Sequence, residues 1–216
     1  MKIFGNHLIL FKPLLNGGVF YAIYFSYLLT MNEYGQLLET FTYVGEFVIT
    51  KKNNIKNLID FERVLTTAEM KNNKGRVYVF AEVINGEVVD VLKIGKSSAK
   101  SGLNGTIGCY STALSGTPGP NRFCIHYMIH DKLNSGSQIM VYVRFTESVK
   151  RNITGLYSEI EVEVPLDVTY IENLCLVDYK NKFGTYPTWN FQERGETLPI
   201  YLMEKFGTFI KDKKTI

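Results

Sequence analysis

Residues 75–97 read Gly-Arg-Val-Tyr-Val-Phe-Ala-Glu-Val-Ile-Asn-Gly-Glu-Val-Val-Asp-Val-Leu-Lys-Ile-Gly-Lys-Ser. Two runs rich in β-branched and aromatic residues flank Asn85-Gly86. Asn-Gly between apolar runs predicts a tight β-hairpin, because both residues tolerate positive φ. Alternate side chains of a strand share a face. Tyr78 and Phe80 are therefore expected on one face, with Val77 and Val79 on the other. The same alternation groups Lys93 with Val91 and Gly95. A lysine inside a β-run that ends in Gly95-Lys96-Ser97 is unusual for a residue that only packs.

Downstream, Leu103, Ile107, Tyr110 and Leu114 recur three or four apart, which predicts a helix within 98–116 despite Gly102, Gly105 and Gly108. Phe123 to Ile129 and Ile139 to Phe145 are expected as strands joined by a turn around Asn134-Ser135-Gly136. Glu159 to Val164 alternates and predicts another strand. Residues 168–184 read as a helix, with Asp167 as N-cap, Ile171, Leu174, Cys175 and Tyr179 as the apolar stripe, and Gly184 closing it. Pro187-Thr188-Trp189-Asn190 follows as a loop, and Leu198 to Phe209 as a terminal helix or arm.

Upstream, residues 40–50 predict a strand. Ile55, Leu58, Ile59, Phe61, Leu65 and Met70 recur at roughly helical spacing, with Asn54 available as N-cap. Residues 1–30 differ from the rest: they hold Lys2 and Lys12 but no acid, and Pro13 to Asn32 is uncharged. That length suits a membrane-span candidate. Pro13 and Asn16-Gly17-Gly18 interrupt it, and it lacks a small-residue cleavage site. A membrane anchor, a buried segment and a non-native extension ahead of Met31 compete. The abrupt change of composition at Met31 favours the third, so residues 1–30 are expected to be dispensable.

The 216 residues suit one domain with small extensions. A hydrophobic fraction of 45% and a charged fraction of 21% describe a folded chain rather than a disordered one. The net charge of +3 is compatible with a nucleic-acid partner but too small to argue for one. Three cysteines without a CxxC pair, Cys109, Cys124 and Cys175, suit a reducing cytoplasm.

The hairpin resembles the two signature strands of the GIY-YIG nuclease superfamily. Arg76-Val77-Tyr78 stands where that family has Gly-Ile-Tyr, and Lys93-Ile94-Gly95 where it has Tyr-Ile-Gly. Some restriction enzymes of the family carry Lys at that second Tyr position. Ile171-Glu172-Asn173-Leu174 on a helix, followed by Pro187-Thr188-Trp189-Asn190, resembles the back half of the pattern, where a helix carries a metal-binding Glu and a later loop ends in Asn. The resemblance spans about residues 75–192. It implies an α+β fold, a small central antiparallel sheet flanked by helices, divided as a 1–30 extension, a 31–74 strand-helix addition, a 75–195 nuclease core and a 196–216 helix or arm.

The resemblance also implies Mg²⁺-dependent hydrolysis of DNA phosphodiesters, of restriction or mobile-element type. Glu172 would be the metal ligand, since Mg²⁺ keeps most of its waters and needs few carboxylates. Tyr78 would be the general base and Lys93 the cation that makes its phenolate accessible, with Asn190 orienting the loop or Glu172. Lys96, Ser97, Tyr110 and Arg122 are the expected substrate contacts. DNA is the expected partner, with no small-molecule cofactor and no membrane association.

The chain departs from the family at one place. The family has an Arg early in the helix after the second strand, clamping the phosphate, with His or Tyr four residues later. If Tyr110 holds the later position, the Arg position falls on Thr106. Lys96, Lys100 or Arg122 are the available substitutes, though Lys lacks the bidentate fork. A catalytically weak DNA-binding module on the same fold is the alternative reading. A non-nucleic-acid α+β protein is the third. Cys124-x-His126-x₃-His130 lacks the second cysteine pair of a zinc site, and Gly95-Lys96-Ser97 lacks the earlier glycine of a phosphate-binding loop.

Overall fold

The computed structural model describes residue 34 and residues 38–51 and 57–214. Residues 1–30, expected above to be a dispensable extension, lie outside the described residues, as does Asn54. Among the described residues, seven strands and six α-helices follow in order: β1 (Thr42–Ile49), β2 (Ile59–Arg63), α1 (Thr67–Met70), β3 (Arg76–Ile84), β4 (Glu87–Ser97), α2 (Leu103–Ser111), α3 (Pro120–Asn134), β5 (Gln138–Phe145), β6 (Ser148–Thr154), β7 (Glu159–Pro165), α4 (Val168–Phe183), α5 (Phe191–Arg194) and α6 (Ile200–Lys214).

The predicted hairpin forms β3 and β4. Ile84 pairs with Glu87, leaving Asn85-Gly86 as a two-residue loop with φ of 53° and 84°. Both central residues take the left-handed conformation that this turn demands. The sheet has five strands in the order β2-β1-β5-β3-β4, every pair antiparallel. The fold is α+β, with helices on both faces.

The two faces of β3 separate as the alternation predicts. Tyr78 and Phe80 join a cluster with Phe47, Leu92, Ile107 and Ile125, beneath α2 and α3. Val77, Val79 and Ala81 join a second cluster with Ile171, Leu176 and Tyr179 of α4. Asp167 and Gly184 terminate α4 as expected: the Asp167 side chain accepts from the Thr169 amide, and Gly184 takes φ 76°.

Three sequence expectations are overturned. First, Phe123 to Ile129 is not a strand but the first half of α3. This helix is apolar on two sides: Ile125 and Ile129 face the sheet, while Phe123 and Cys124 meet Leu202 of α6. Burial on both sides erases the helical period and imitates a buried strand. The Asn134-Ser135-Gly136 turn therefore joins a helix to β5, not two strands.

Second, the helix expected over 55–70 does not form as one element: among the described residues, Ile59–Arg63 is strand β2. Ile59 and Phe61 lie opposite Ile49 and Phe47 of β1, and only Thr67–Met70 is helical. A capping box starts it, with the Glu69 amide donating to Thr66 and the Thr66 amide to the Glu69 carboxylate.

Third, Lys93 does not share a face with Val91. The β3–β4 register shifts between Phe80 and Ala81, so Lys93 lies opposite Phe80 while Val91 lies opposite Ala81. The extra residue of a β-bulge re-aims the side chains beyond it. It turns Lys93 and Gly95 together onto the Tyr78 face.

Candidate active site

The bulge and the hairpin converge on Gly95. Gly95 pairs with Tyr78, and the Tyr78 ring lies directly over it: a Cβ at position 95 would stand 2.5 Å from the phenol oxygen. The Tyr78 and Tyr110 hydroxyls share a hydrogen bond of 2.7 Å. Both rings are buried. Burial raises the Tyr78 pKa well above that of a free phenol, and Tyr110, Cys109 and Glu172 add to the shift. Tyr110 is raised for the same leading reason. The isolated site therefore favours Tyr78 as a neutral phenol, which a nearby cation is needed to ionise.

Lys93 is 8% exposed. Among the described residues it makes no ion pair within 4 Å. Burial lowers its pKa, while Glu193, Glu172 and Cys109 oppose the change. Glu193, in the first turn of α5, went unremarked in the sequence reading. It stands one hundred positions from Lys93 in the chain, so no local spacing links them.

Glu172 sits on α4, the helix packed against the Val77 side of the sheet, and meets Lys96 Nζ at 2.8 Å. Its carboxylate bears electrostatically on Tyr78, Tyr110 and Lys93. The edge of β4 thus brings Tyr78, Lys93, Lys96, Tyr110 and Glu172 into one neighbourhood. Glu172 supplies a single hard oxygen donor, with a side chain 12% exposed. That suits a cation that keeps its own waters, such as Mg²⁺. Among the described residues no cluster of three His, Cys, Asp or Glu suggests a site built wholly from protein ligands.

Asn190 is buried and clamps the free edge of β4: its Oδ1 accepts from the Ile94 amide at 2.9 Å, and its Nδ2 donates to the Ile94 carbonyl at 2.8 Å. The Trp189 amide donates to Leu92 O at 2.7 Å. The loop therefore acts as a further strand segment that holds Lys93 and Gly95 in place. Asn190 orients this loop and makes no hydrogen bond to Glu172. Asn190→Ala leaves the Ile94 amide and carbonyl buried without partners. We expect a loss of about 2–4 kcal/mol, read as a fall in the melting temperature.

Ser97 is engaged internally. Its Oγ accepts from Thr106 Oγ1 at 2.8 Å and from the Ala99 amide at 3.2 Å. Thr106 is 3% exposed, and its hydroxyl also reaches Gly102 O at 3.2 Å. An arginine there would enter the interior rather than reach a phosphate. Arg122, exposed in the first turn of α3, bears instead on Cys109 and Tyr110 and lowers their pKa values against the effect of burial. His126 is not a metal ligand in waiting: Nε2 accepts from the Leu58 amide at 3.1 Å, and Nδ1 meets Tyr110 O at 2.7 Å.

These elements define an α+β protein whose five-stranded antiparallel sheet carries a tyrosine and two lysines towards one edge, with a glutamate of α4 beside them. No family model matches the chain, and no curated protein sequence matches it. Among solved structures, it is similar to restriction endonuclease HPY188I in complex with product DNA, at 20% identity and TM-score 0.38, over 73% of this chain and 83% of that one. It is also similar to a mutant of bacteriophage T4 EndoII, at 17% identity and TM-score 0.43, over 72% of this chain and 97% of that one. Among the described residues, no helix is long and apolar enough to cross a membrane.

Proposed function

We propose that the chain is a Mg²⁺-dependent DNA endonuclease of the GIY-YIG type, with restriction or mobile-element character. The observation that carries this reading is the meeting of Tyr78, Lys93, Lys96 and Glu172 at one edge of the sheet, from three separate elements. Glu172 would hold a Mg²⁺ ion, which would supply positive charge for the leaving oxygen and the crowded phosphate. Lys96 exchanges its ion pair with Glu172 for a phosphate oxygen. Lys93, nearly buried, lies opposite Phe80 on the Tyr78 face and feels the charge of Glu172; as a cation it would favour the Tyr78 phenolate. Tyr78 then takes the proton of the attacking water, and Tyr110 holds the ring in line. Arg122, which bears on Tyr110 and Cys109, would stand in for the missing clamp.

A second reading, a DNA-binding module of low activity, draws on the interior position of Thr106 and on the neutral Tyr78. Plasmid nicking in Mg²⁺, with chelator as control, separates the two. Intact supercoiled plasmid under conditions where the protein retains DNA selects the second.

The proton chemistry sets a pH profile. Because the pKa of Tyr78 is raised, the basic form is scarce at neutral pH. Its population grows about tenfold per pH unit until that pKa is reached. Single-turnover cleavage is expected to climb in this way between about pH 7 and 9. Lys93 has a lowered pKa and so loses its charge earlier than an ordinary lysine, which bends the profile over on the alkaline side. A rate independent of pH across this range removes Tyr78 as the base.

A further inference from the structure

Two basic turns meet beside the candidate site. Residues 70–81 and 91–130 contain no Asp or Glu, although the whole chain has 21 against 24 Lys and Arg. The first segment holds the turn at 71–75, and the second the turn at 98–102 that follows β4. The fold packs these turns backbone to backbone. Gly102 takes φ 71°, and a Cβ there would run into the Met70 and Asn72 carbonyls. Arg76 ties the turns together from beneath. Its Nε donates to Lys74 O at 2.9 Å and its Nη2 to Ala99 O at 3.0 Å.

The charges on this surface lack partners. Arg76 is fully buried, makes no ion pair among the described residues, and leaves Nη1 without a hydrogen-bond partner. A buried guanidinium without a counter-ion is costly. Above it, Lys71, Lys74 and Lys100 are exposed and make no ion pair among the described residues. Lys96 continues the surface to Glu172. In the other direction, Lys74 and Arg144 line an open cleft of about 560 Å³ with Asn72, Thr42, Thr146 and Glu147. Glu147 is the one acid in that cleft. Glu69, at the far end of the first turn, is engaged by the Thr66 amide and hydroxyl.

We propose that this surface is a track for the DNA backbone, with phosphates that flank the cut lying along Lys100, Lys71 and Lys74 and ending in the cleft beside Arg144. The inference rests on the reading of DNA as the partner of the site. The cations are spread over two turns and a strand end, so they suit a chain of phosphates rather than one anion. Lysines and hydroxyls of this kind position a duplex and read no base. An acidic protein fits less well: among the described residues, none between 66 and 83 or between 90 and 150 is an exposed large hydrophobic. Protein interfaces are anchored by such side chains.

The test is the affinity of the full chain for a labelled DNA duplex, with chelator present, as salt is varied. Lys71→Gln with Lys74→Gln should weaken binding alike on unrelated sequences. It should also reduce the slope of log affinity against log salt by about two. Lys150→Gln with Lys205→Gln removes the same charge from the β6–β7 ribbon and α6, and should leave the slope unchanged. Both pairs changing the slope equally, or neither changing it, overturns the track. Tighter retention of an RNA duplex of the same sequence overturns it too, and assigns the surface to RNA. Plasmid nicking by the wild type in Mg²⁺ is read in parallel. Salt-dependent binding through Lys71 and Lys74 without nicking removes the nuclease reading and keeps the track. Nicking by a wild type whose affinity the Lys71 and Lys74 substitutions do not touch removes the track and keeps the nuclease.

Discussion

Glu172→Gln is expected to abolish DNA cleavage while leaving DNA binding in place. The substitution keeps the size and hydrogen bonding of the side chain and removes its charge, the one hard ligand offered to Mg²⁺ at the β4 edge. Loss of a preorganised partner for transition-state charge costs on the order of 10²–10³-fold in rate, and loss of the metal adds to this. The Lys96 ion pair disappears with it, but at 39% exposure Lys96 contributes little to stability through that pair. The fold should therefore persist. Retention of DNA on a gel should survive or strengthen, since Lys96 is released toward phosphate and a negative charge has gone. Plasmid nicking at the wild-type rate in this variant would sink the proposed metal site.

Tyr78→Phe is the second decisive substitution. It deletes the hydroxyl proposed as base and keeps the ring that packs over Gly95 and against Phe80. A lost general base costs roughly 10²–10⁴-fold. The folding cost is about 1 kcal/mol, because the buried Tyr110 hydroxyl loses its partner. Tyr110→Phe breaks the same hydrogen bond from the other side and leaves Tyr78 its hydroxyl. The two variants should therefore melt alike and cleave very differently. Equal cleavage by both would reduce the tyrosine pair to packing. The Tyr78→Phe variant should also lose the rise of rate with pH.

The buried Thr106 changes how the missing clamp is to be sought. Restoring arginine at position 106 is expected to disturb the packing of α2 rather than to raise activity, because that side chain points at Ser97 inside the molecule. Arg122 approaches the tyrosine pair from α3 instead, from a helix that the sequence alone presents as a strand.

Local chemistry settled much of this fold in advance. Asn85-Gly86 dictates a hairpin whatever surrounds it, because positive φ is affordable there and at few other sequence pairs. Asp167 and Gly184 delimit α4 by capping, and the alternation of Tyr78 and Phe80 with Val77 and Val79 assigns the faces of β3. Each of these signals is contained within a few residues, so each is legible in one sequence. The position of Glu172 on a helix is legible for the same reason.

What the sequence left open depends on contacts between distant segments. Two register shifts between β3 and β4, at Phe80/Ala81 and Glu82/Val83, set Lys93 opposite Phe80 and Gly95 opposite Tyr78. The double-sided burial of α3 arises from the sheet on one side and α6 on the other, and it conceals the helical period from any reading of residues 120–134. The edge clamp of Asn190 on Ile94, the approach of Glu193 to Lys93 and the interior place of Thr106 are likewise products of packing. Periodicity reports which face a residue occupies within its own element. Only the tertiary arrangement decides which faces meet, and the site at the β4 edge lies where three of them do.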